Sequence, residues 1–252
     1  MATELPGELS IMLTRPVDQS LSMQQKLNQL GARTILFPCL QIKPVEYDTT
    51  KISVSNIDTF IFISPNAVNY GFQALPELTD AQVANKPFAA IGQSTAQALL
   101  EKGVTRVITP AEQFDSEGLL ETPLLQNVQN QSIMIIKGIG GRPYLMETLR
   151  QRGADVSCID VYERKLPENP DLQVLSAHID LILFSSSQSA ENFLALLPAE
   201  QTNQLFNCQT IVGHPKIGQK VSSLGFKKLP IIAASPLEDD LIEAIKTWAR
   251  RR

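Results

Sequence analysis

The sequence predicts an α/β protein made of two doubly wound parallel-sheet domains related by internal duplication. Three observations predict it. Short apolar runs alternate with stretches of helical periodicity, glycines fall where the helical stretches stop, and the pattern recurs 122 positions further on. Ser10-Ile11-Met12 returns as Ser132-Ile133-Met134, and Leu27, Gly31 and Ala32 as Leu149, Gly153 and Ala154. Ile57, Asp58, Phe62 and Ser64 return as Ile179, Asp180, Phe184 and Ser186. Leu75-Pro76, Gly103 and Leu119 match Leu197-Pro198, Gly225 and Leu241, with no gap in the offset.

The elements of the first copy follow in order. Ile11 to Leu13 is a short apolar strand, and a helix around Ser20 to Leu30 stops at Gly31. Thr34 to Phe37 is the second strand. Asp58 to Ile63 is the third, feeding through Ser64-Pro65-Asn66 into a helix that reaches Leu75. Phe88 to Ile91 is the fourth, leading through Gly92-Gln93-Ser94-Thr95 into a helix ended by Gly103. Val104 to Ile108 is the fifth, after which Ser116 caps a helix through Leu125. The second copy places its strands near Ile133–Ile136, Val156–Ile159, Leu181–Phe184, Thr210–Val212 and Leu229–Ile232. Buried apolar strands alternating with helices imply parallel sheets covered on both faces, a flavodoxin-like arrangement in each domain.

Two matched segments, Gln41-Ile42-Lys43-Pro44-Val45-Glu46 and Glu163-Arg164-Lys165-Leu166-Pro167, follow the second strand of each copy and read as linkers. As inter-domain crossings they give a discontinuous domain of residues 1–39 and 166–252 and a continuous one of residues 40–165. A two-strand linker of this kind suits a hinge over a cleft.

Composition limits the chemistry. A net charge of −4 argues against nucleic acid, and 43% hydrophobic with 19% charged residues describes an ordinary globular chain with no membrane span. Cys39, Cys158 and Cys208 are odd in number and never in CxxC spacing, so they read as reduced packing residues of a cytoplasmic protein. The start of the chain, without a basic head or an apolar stretch, reads as lacking an export signal. His178 and His214 are the only histidines, too few for a multi-histidine metal centre. Gly138-x-Gly140 follows a strand, but Pro143 breaks the dinucleotide fingerprint and no phosphate-binding GxxxxGK[ST] loop is present. The expectation is a chain without cofactor or metal.

The turns that lead into helices carry the candidate site. Unpaired N–H groups at helix N-termini favour anions, and such turns occur at Ser64-Pro65-Asn66, Gly92-Gln93-Ser94, Gly138-Ile139-Gly140-Gly141 and Ser185-Ser186-Ser187-Gln188. Ser64, Ser94 and Ser187 also suit plain helix capping. Arg15, Lys137, Arg142 and Lys216 are the cations closest to these turns.

Several segments carry a family resemblance: Leu13-Thr14-Arg15-Pro16, Phe62-Ile63-Ser64-Pro65-Asn66, and Ile91-Gly92-Gln93-Ser94-Thr95. Ile136-Lys137-Gly138-Ile139-Gly140-Gly141-Arg142-Pro143, Val161-Tyr162-Glu163-Arg164 and Phe184-Ser185-Ser186-Ser187 complete the set. In order and spacing, along nearly the whole chain, these segments resemble the uroporphyrinogen-III synthase family. The resemblance implies a cofactor-free lyase that cyclises hydroxymethylbilane, a linear tetrapyrrole with eight carboxylates. Water is lost and the last pyrrole, ring D, is inverted. It also implies the discontinuous first domain, and it points to Tyr162 as the group that assists departure of the hydroxyl, with Thr95 as a weaker candidate. Arg15, Ser64, Asn66, Gln93, Ser94, Lys137, Gly138, Gly140, Arg142, Ser186, Ser187, Gln188 and Lys216 are the expected substrate-binding residues. In the second copy His214 and Ile217 stand where the pattern has glycine and threonine, so that hydroxyl is missing. The expected partner is the small-molecule substrate alone, with no nucleic acid and no membrane. A monomer is expected, with room for a transient contact with the preceding pathway enzyme. A non-catalytic two-lobed small-molecule binder is the alternative reading.

Overall fold

The computed structural model describes Leu5, residues 9–48 and residues 52–252, so most of the first eight residues, read above for export, lie outside the described residues. The chain divides into two compact units, Met1–Gln41 with Lys165–Arg252 and Ile42–Arg164. In chain order, unit 1 begins with β1 (Ser10–Leu13), α1 (Val17–Gln29) and β2 (Arg33–Leu36). Next comes unit 2, with β3 (Gln41–Pro44), β4 (Thr59–Phe62), α2 (Pro65–Ala74), α3 (Ala81–Ala84), β5 (Phe88–Ala90) and α4 (Gln93–Glu101). It continues through β6 (Val107–Ile108), α5 (Ser116–Leu120), α6 (Pro123–Gln126), β7 (Ser132–Gly138), α7 (Tyr144–Gln151) and β8 (Asp155–Lys165). Unit 1 is completed by β9 (Leu181–Phe184), α8 (Ser187–Leu196), α9 (Ala199–Leu205), β10 (Gln209–Val212), α10 (Pro215–Ser223), β11 (Ile231–Ile232) and α11 (Glu238–Ala249).

The sheet of unit 1 has the order β11-β10-β9-β1-β2, and that of unit 2 the order β3-β8-β7-β4-β5-β6. β9 pairs in parallel with β1 and β10, as β4 does with β7 and β5. The offset of 122 maps one sheet onto the other with its halves exchanged. β7, α7 and β8 stand in unit 2 where β1, α1 and β2 stand in unit 1, and β4, α2, β5 and α4 match β9, α8, β10 and α10. Each unit therefore joins the opening βαβ of one copy to the remainder of the other. A matched pair of aspartates sits at each junction. The Asp58 carboxylate accepts from Ser132 N–H at 2.8 Å, and that of Asp180 from Ser10 N–H at 2.9 Å.

Apolar side chains alternate across each strand and fill both faces of each sheet. In unit 2, Phe60, Phe62, Met134 and Ile136 meet Ala67 and Val68 of α2 and Leu99 of α4. Ile61, Ile133 and Ile135 meet Leu119 of α5 and Leu145 and Leu149 of α7 on the other face. Unit 1 repeats the plan, with Leu181 and Leu183 against α1 and α11 and Ile182 and Phe184 against α8 and α10. Each fully buried side chain of this size is worth about 1.5–3 kcal/mol, which sets register firmly. Gly31, Gly103, Gly153 and Gly225 end α1, α4, α7 and α10 with φ of 90°, 88°, 87° and 101°, the left-handed region that glycine enters without strain.

Five expectations change. The last strand of the second copy is only Ile231–Ile232, and Leu229 is exposed. The second strand of that copy runs on to Lys165 instead of stopping near Ile159, because β7 extends beside it. Asp115, not Ser116, caps α5 by accepting from Gly118 N–H, and the predicted single helix breaks at Thr122-Pro123 into α5 and α6. Ser186, not Ser187, caps α8. Among the described residues no helix is long and apolar enough to cross a membrane.

Candidate functional site

In a doubly wound sheet, ligands bind beyond the carboxyl ends of the strands where the winding reverses. In unit 2 the chain winds from β4 toward β5 and β6, and from β7 toward β8, so the reversal lies between β4 and β7. The turns that leave those two strands are Ile63-Ser64 and Ile139 to Pro143. Ser64 accepts from Ala67 N–H at 3.0 Å and so caps α2, with Pro65 at the first helical position.

Beside this cap stands Tyr162. A β-bulge between Lys137 and Gly138 lets Val161 pass unpaired, so that Lys137 faces Asp160 while Gly138 faces Tyr162. The extra residue turns Tyr162 to the same face as Ile159 and Val161, where it is 3% exposed. Its hydroxyl lies 3.0 Å from Ser64 Oγ, and its ring stacks on Tyr70 at 6.0 Å. Arg164 lies over the ring at 5.8 Å and donates to the phenol oxygen at 3.4 Å. The ring needs Gly138: a Cβ there would sit 2.5 Å from Tyr162 Cζ. The structure thus brings Ser64, Gly138 and Tyr162 into direct contact.

The glycine-rich turn is held from below. Lys137 Nζ donates to the carbonyls of Gly138 at 3.2 Å and Gly140 at 3.1 Å, and to Asp160 Oδ1 at 2.5 Å. Lys137, expected to pair with substrate, is occupied as the clamp of this turn. Gly140 and Gly141 take φ of 84° and 92° within it. Arg142 makes a two-pronged pair with Glu117, at 2.9 and 3.1 Å, on the surface. Between this turn and α7 lies a cavity of about 350 Å³, lined by Ile63, Ile135, Leu145 and Cys158 with Lys137 and Arg142 at its edge.

The remaining expected residues of unit 2 lie along the same carboxyl edge. Asn66 is half-buried in the first turn of α2. Gln93 and Ser94 are exposed at the start of α4, which Gly92 caps without a side chain. Thr95 is 1% exposed and points into the unit instead of lining an open site.

In unit 1 the winding reverses between β1 and β9. Arg15 follows β1, is half-buried, and donates to Pro236 O at 3.5 Å. Burial pulls its guanidinium below the usual value and Glu238 pulls it back. Thr14, beside it, is spent on Leu183 O at 2.7 Å. Ser186 and Ser189 form a reciprocal capping box at the start of α8. Ser187 is half-buried, and Gln188 donates to Asn192 at 2.8 Å. His214, read as missing glycine, caps α10 through Nδ1, which accepts from Lys216 N–H at 3.1 Å. The Lys216 side chain is exposed.

Sequence reasoning passed over Arg164, Tyr70, Asp160 and Ser189. Arg164 stood in a quoted motif and was within reach. Ser189 stands at capping-box spacing from Ser186, while Tyr70 and Asp160 depend on the bulge and on pairings that no spacing reveals. Burial pushes the Cys208 thiol up to about 11 and that of Cys39 higher still, which disfavours the thiolate near neutral pH. Burial also raises Cys158, against the pull of Lys137 and Arg150. Among the described residues no three His, Cys, Asp or Glu side chains gather as a metal site.

Residues 22–243 match the family model described as uroporphyrinogen-III synthase HemD. Curated relatives include the uroporphyrinogen-III synthase of Synechococcus elongatus, 30% identical over 96% of this chain and 96% of its own. That of Escherichia coli is 23% identical over 94% of this chain and all of its own length. Among solved structures, uroporphyrinogen-III synthetase from Helicobacter pylori superposes with a TM-score of 0.61 at 16% identity, covering 95% of this chain and 99% of that one. A mutant uroporphyrinogen III synthase from Thermus thermophilus gives 0.59 at 16% identity, covering 97% and 100%. These two likenesses speak for the fold.

Proposed function

We infer the residue roles from one premise: this chain belongs to the uroporphyrinogen-III synthase family. It is a lyase of tetrapyrrole and haem biosynthesis that acts on a small tetrapyrrole and forms uroporphyrinogen III. Membership sets aside the non-catalytic binder. The roles below are our proposal, and the observation that carries it is the Tyr162–Ser64 hydroxyl pair at 3.0 Å, set on the reversal point of unit 2.

In hydroxymethylbilane the terminal hydroxyl must leave as water. The Tyr162 phenol, directly or through Ser64, supplies the proton that this departure needs. Ser64 Oγ already accepts from Ala67 N–H, so it can take the Tyr162 proton on its second lone pair while its own hydrogen points to the ligand. Arg164, near the phenol oxygen, stabilises the charge left behind. Loss of water leaves an electrophilic azafulvene. The substituted carbon of the last pyrrole attacks it to give a spiro intermediate, whose opening and reclosure at the other position inverts ring D. The proton released as that pyrrole regains aromaticity returns to the hydroxyl pair.

The Ser64, Gly92 and Gly138 turns of unit 2 offer main-chain N–H groups to substrate carboxylates, and the Ser186 turn, Arg15 and Lys216 offer donors of the same kind on unit 1. Holding a flexible chain in one reacting geometry is worth several kcal/mol, about 7–11 in the best intramolecular cases. The reading extends to a cytoplasmic monomer, which three free cysteines suit. The test mixes protein with hydroxymethylbilane and resolves isomers III and I by chromatography. Product enriched in isomer III over the buffer reaction is expected, and the buffer ratio overturns the assignment.

A further inference from the structure

Unit 1 has a second hollow, at the amino end of its sheet and therefore opposite the turns described above. It measures about 400 Å³ and opens between the residues that precede β9, those that precede β10, and the end of α11. Its apolar lining includes Ile179, Leu205 and Trp248, the chain's single tryptophan. Lys228, Arg251 and Arg252 also line it, and Asp180 is the one acidic side chain among its lining residues. Asp180 is already matched by Arg252 and His178. Lys228 and Arg251 have no ion-pair partner among the described residues, so the hollow carries an excess of positive charge beside Trp248, over whose ring Arg252 lies at 5.8 Å.

The duplication supplies an internal control. The positions matching Cys208, Ile179 and Lys228 in unit 2 are Lys86, Ile57 and Arg106. Lys86 reaches back to donate to the carbonyls of Ser55 and Ile57, at 2.5 Å each. In unit 1 the Cys208 thiol makes only the second of these contacts, donating to Ile179 O at 3.1 Å. A short side chain thus replaces one that plugs the corresponding place. A wall is added as well: α11 runs twelve residues and carries Trp248, where unit 2 has the short helices α5 and α6 with Gln126 at the matching position.

We propose that this hollow is a binding site for a small planar anion, an aromatic ring bearing one or two carboxylates, separate from the catalytic edge. The ring lies against Trp248 and the apolar lining, and the acid groups pair with Lys228 and Arg251. A volume of about 400 Å³ sits at the small end of ligand pockets and suits one ring, not a chain of four. The proposal stands apart from the cyclisation reading, and its test needs no turnover.

Phthalate serves as the probe, with citrate as the non-planar acid, and binding is read by calorimetry and by Trp248 fluorescence. Saturable phthalate binding that weakens with added salt is expected. Lys228→Ala and Arg251→Ala each weaken it by about tenfold. Cys208→Lys, built on the pattern of Lys86, abolishes it. Absence of saturable binding at millimolar phthalate overturns the site, and undiminished binding to Cys208→Lys overturns its location. Citrate binding as tightly as phthalate overturns the planar class. Should Cys208→Lys fail to fold, the two alanine variants on the exposed rim decide the matter.

Discussion

Ser64 in unit 2 and Ser186 in unit 1 cap matching helices, each accepting a 3.0 Å hydrogen bond, from Ala67 N–H and Ser189 N–H. Their hydroxyls nevertheless meet different neighbours. Ser64 Oγ stands beside the Tyr162 phenol, whereas at Ser186 the further bonds run between Ser189 Oγ and the Ser186 main chain, which donates from its N–H at 3.2 Å and accepts at its carbonyl at 2.8 Å. The position matching Tyr162 is Leu40, that matching Gly138 is Pro16, and that matching Thr95 is Ile217. Duplication has kept the frame (strand order, helix starts and glycine stops), while Tyr162 and Gly138 sit where the repeat fails.

The strongest way to break this comparison is to fill the space under the tyrosine. Gly138→Ala places a methyl group 2.5 Å from Tyr162 Cζ, so the ring must move or the bulge must open. Overpacking of this kind costs about 1–3 kcal/mol of stability. Turnover should fall by about 100-fold or more, since the proposed general acid, once displaced, loses its whole contribution. Full turnover in a folded Gly138→Ala enzyme would separate the ring's position from the chemistry.

A finer cut removes single oxygens. Tyr162→Phe keeps the ring in place and should lower turnover by about tenfold to a hundredfold, leaving the isomer ratio of the remaining product unchanged. Ser64→Ala and Ser186→Ala should each lose about 1 kcal/mol of stability as helix caps, measured by denaturant melts. Only Ser64→Ala should also lose turnover. Equal kinetic losses for the two serines would show that unit 2 holds no chemical privilege.

The aspartate pair sharpens the comparison through pH. Burial alone would raise the Asp180 carboxyl, but the Ser10 amide, His178 and Arg252 outweigh it and hold the group below the usual aspartate value. A depressed folded-state value means that the stabilisation is fully present above the unfolded value, about 3.9, and is lost as pH falls through the folded one. Asp180→Asn should therefore destabilise the fold near neutrality and remove that part of the acid limb. Asp58→Asn, with an exposed bond to Ser132, should cost less. Urea midpoints measured across the acid range test the difference, and identical profiles for the two variants would contradict it.

Much of the frame was legible because local signals coincide with it. Pro65 and the Ser64 cap announced α2, and Gly31, Gly103, Gly153 and Gly225 announced helix ends that need left-handed backbone. The candidate site was legible in its turns but not in its contacts. Tyr162 stands next to Val161 on one face only because β8 carries a bulge, and a bulge is set by pairing with β7, not by local preference. Lys137 read as a free cation until the Asp160 carboxylate, one position beyond a strand boundary drawn too early, closed on it.

The smallest effect concerns a buried hydroxyl. Thr210 in β10 is fully buried, and its Oγ1 is a buried side-chain oxygen without a hydrogen-bond partner among the described residues. Its counterpart in unit 2 is Phe88, which stacks on Phe60 and Phe62. A buried hydroxyl without a partner forfeits its bond to water and gains nothing in return. Thr210→Val keeps the branched shape and removes the oxygen, so stability should rise by about 1 kcal/mol with turnover unchanged. A loss of stability in thermal melts would mean that the oxygen is paired in solution. The two strands would then differ in polarity for a reason other than an unused vestige of the repeat.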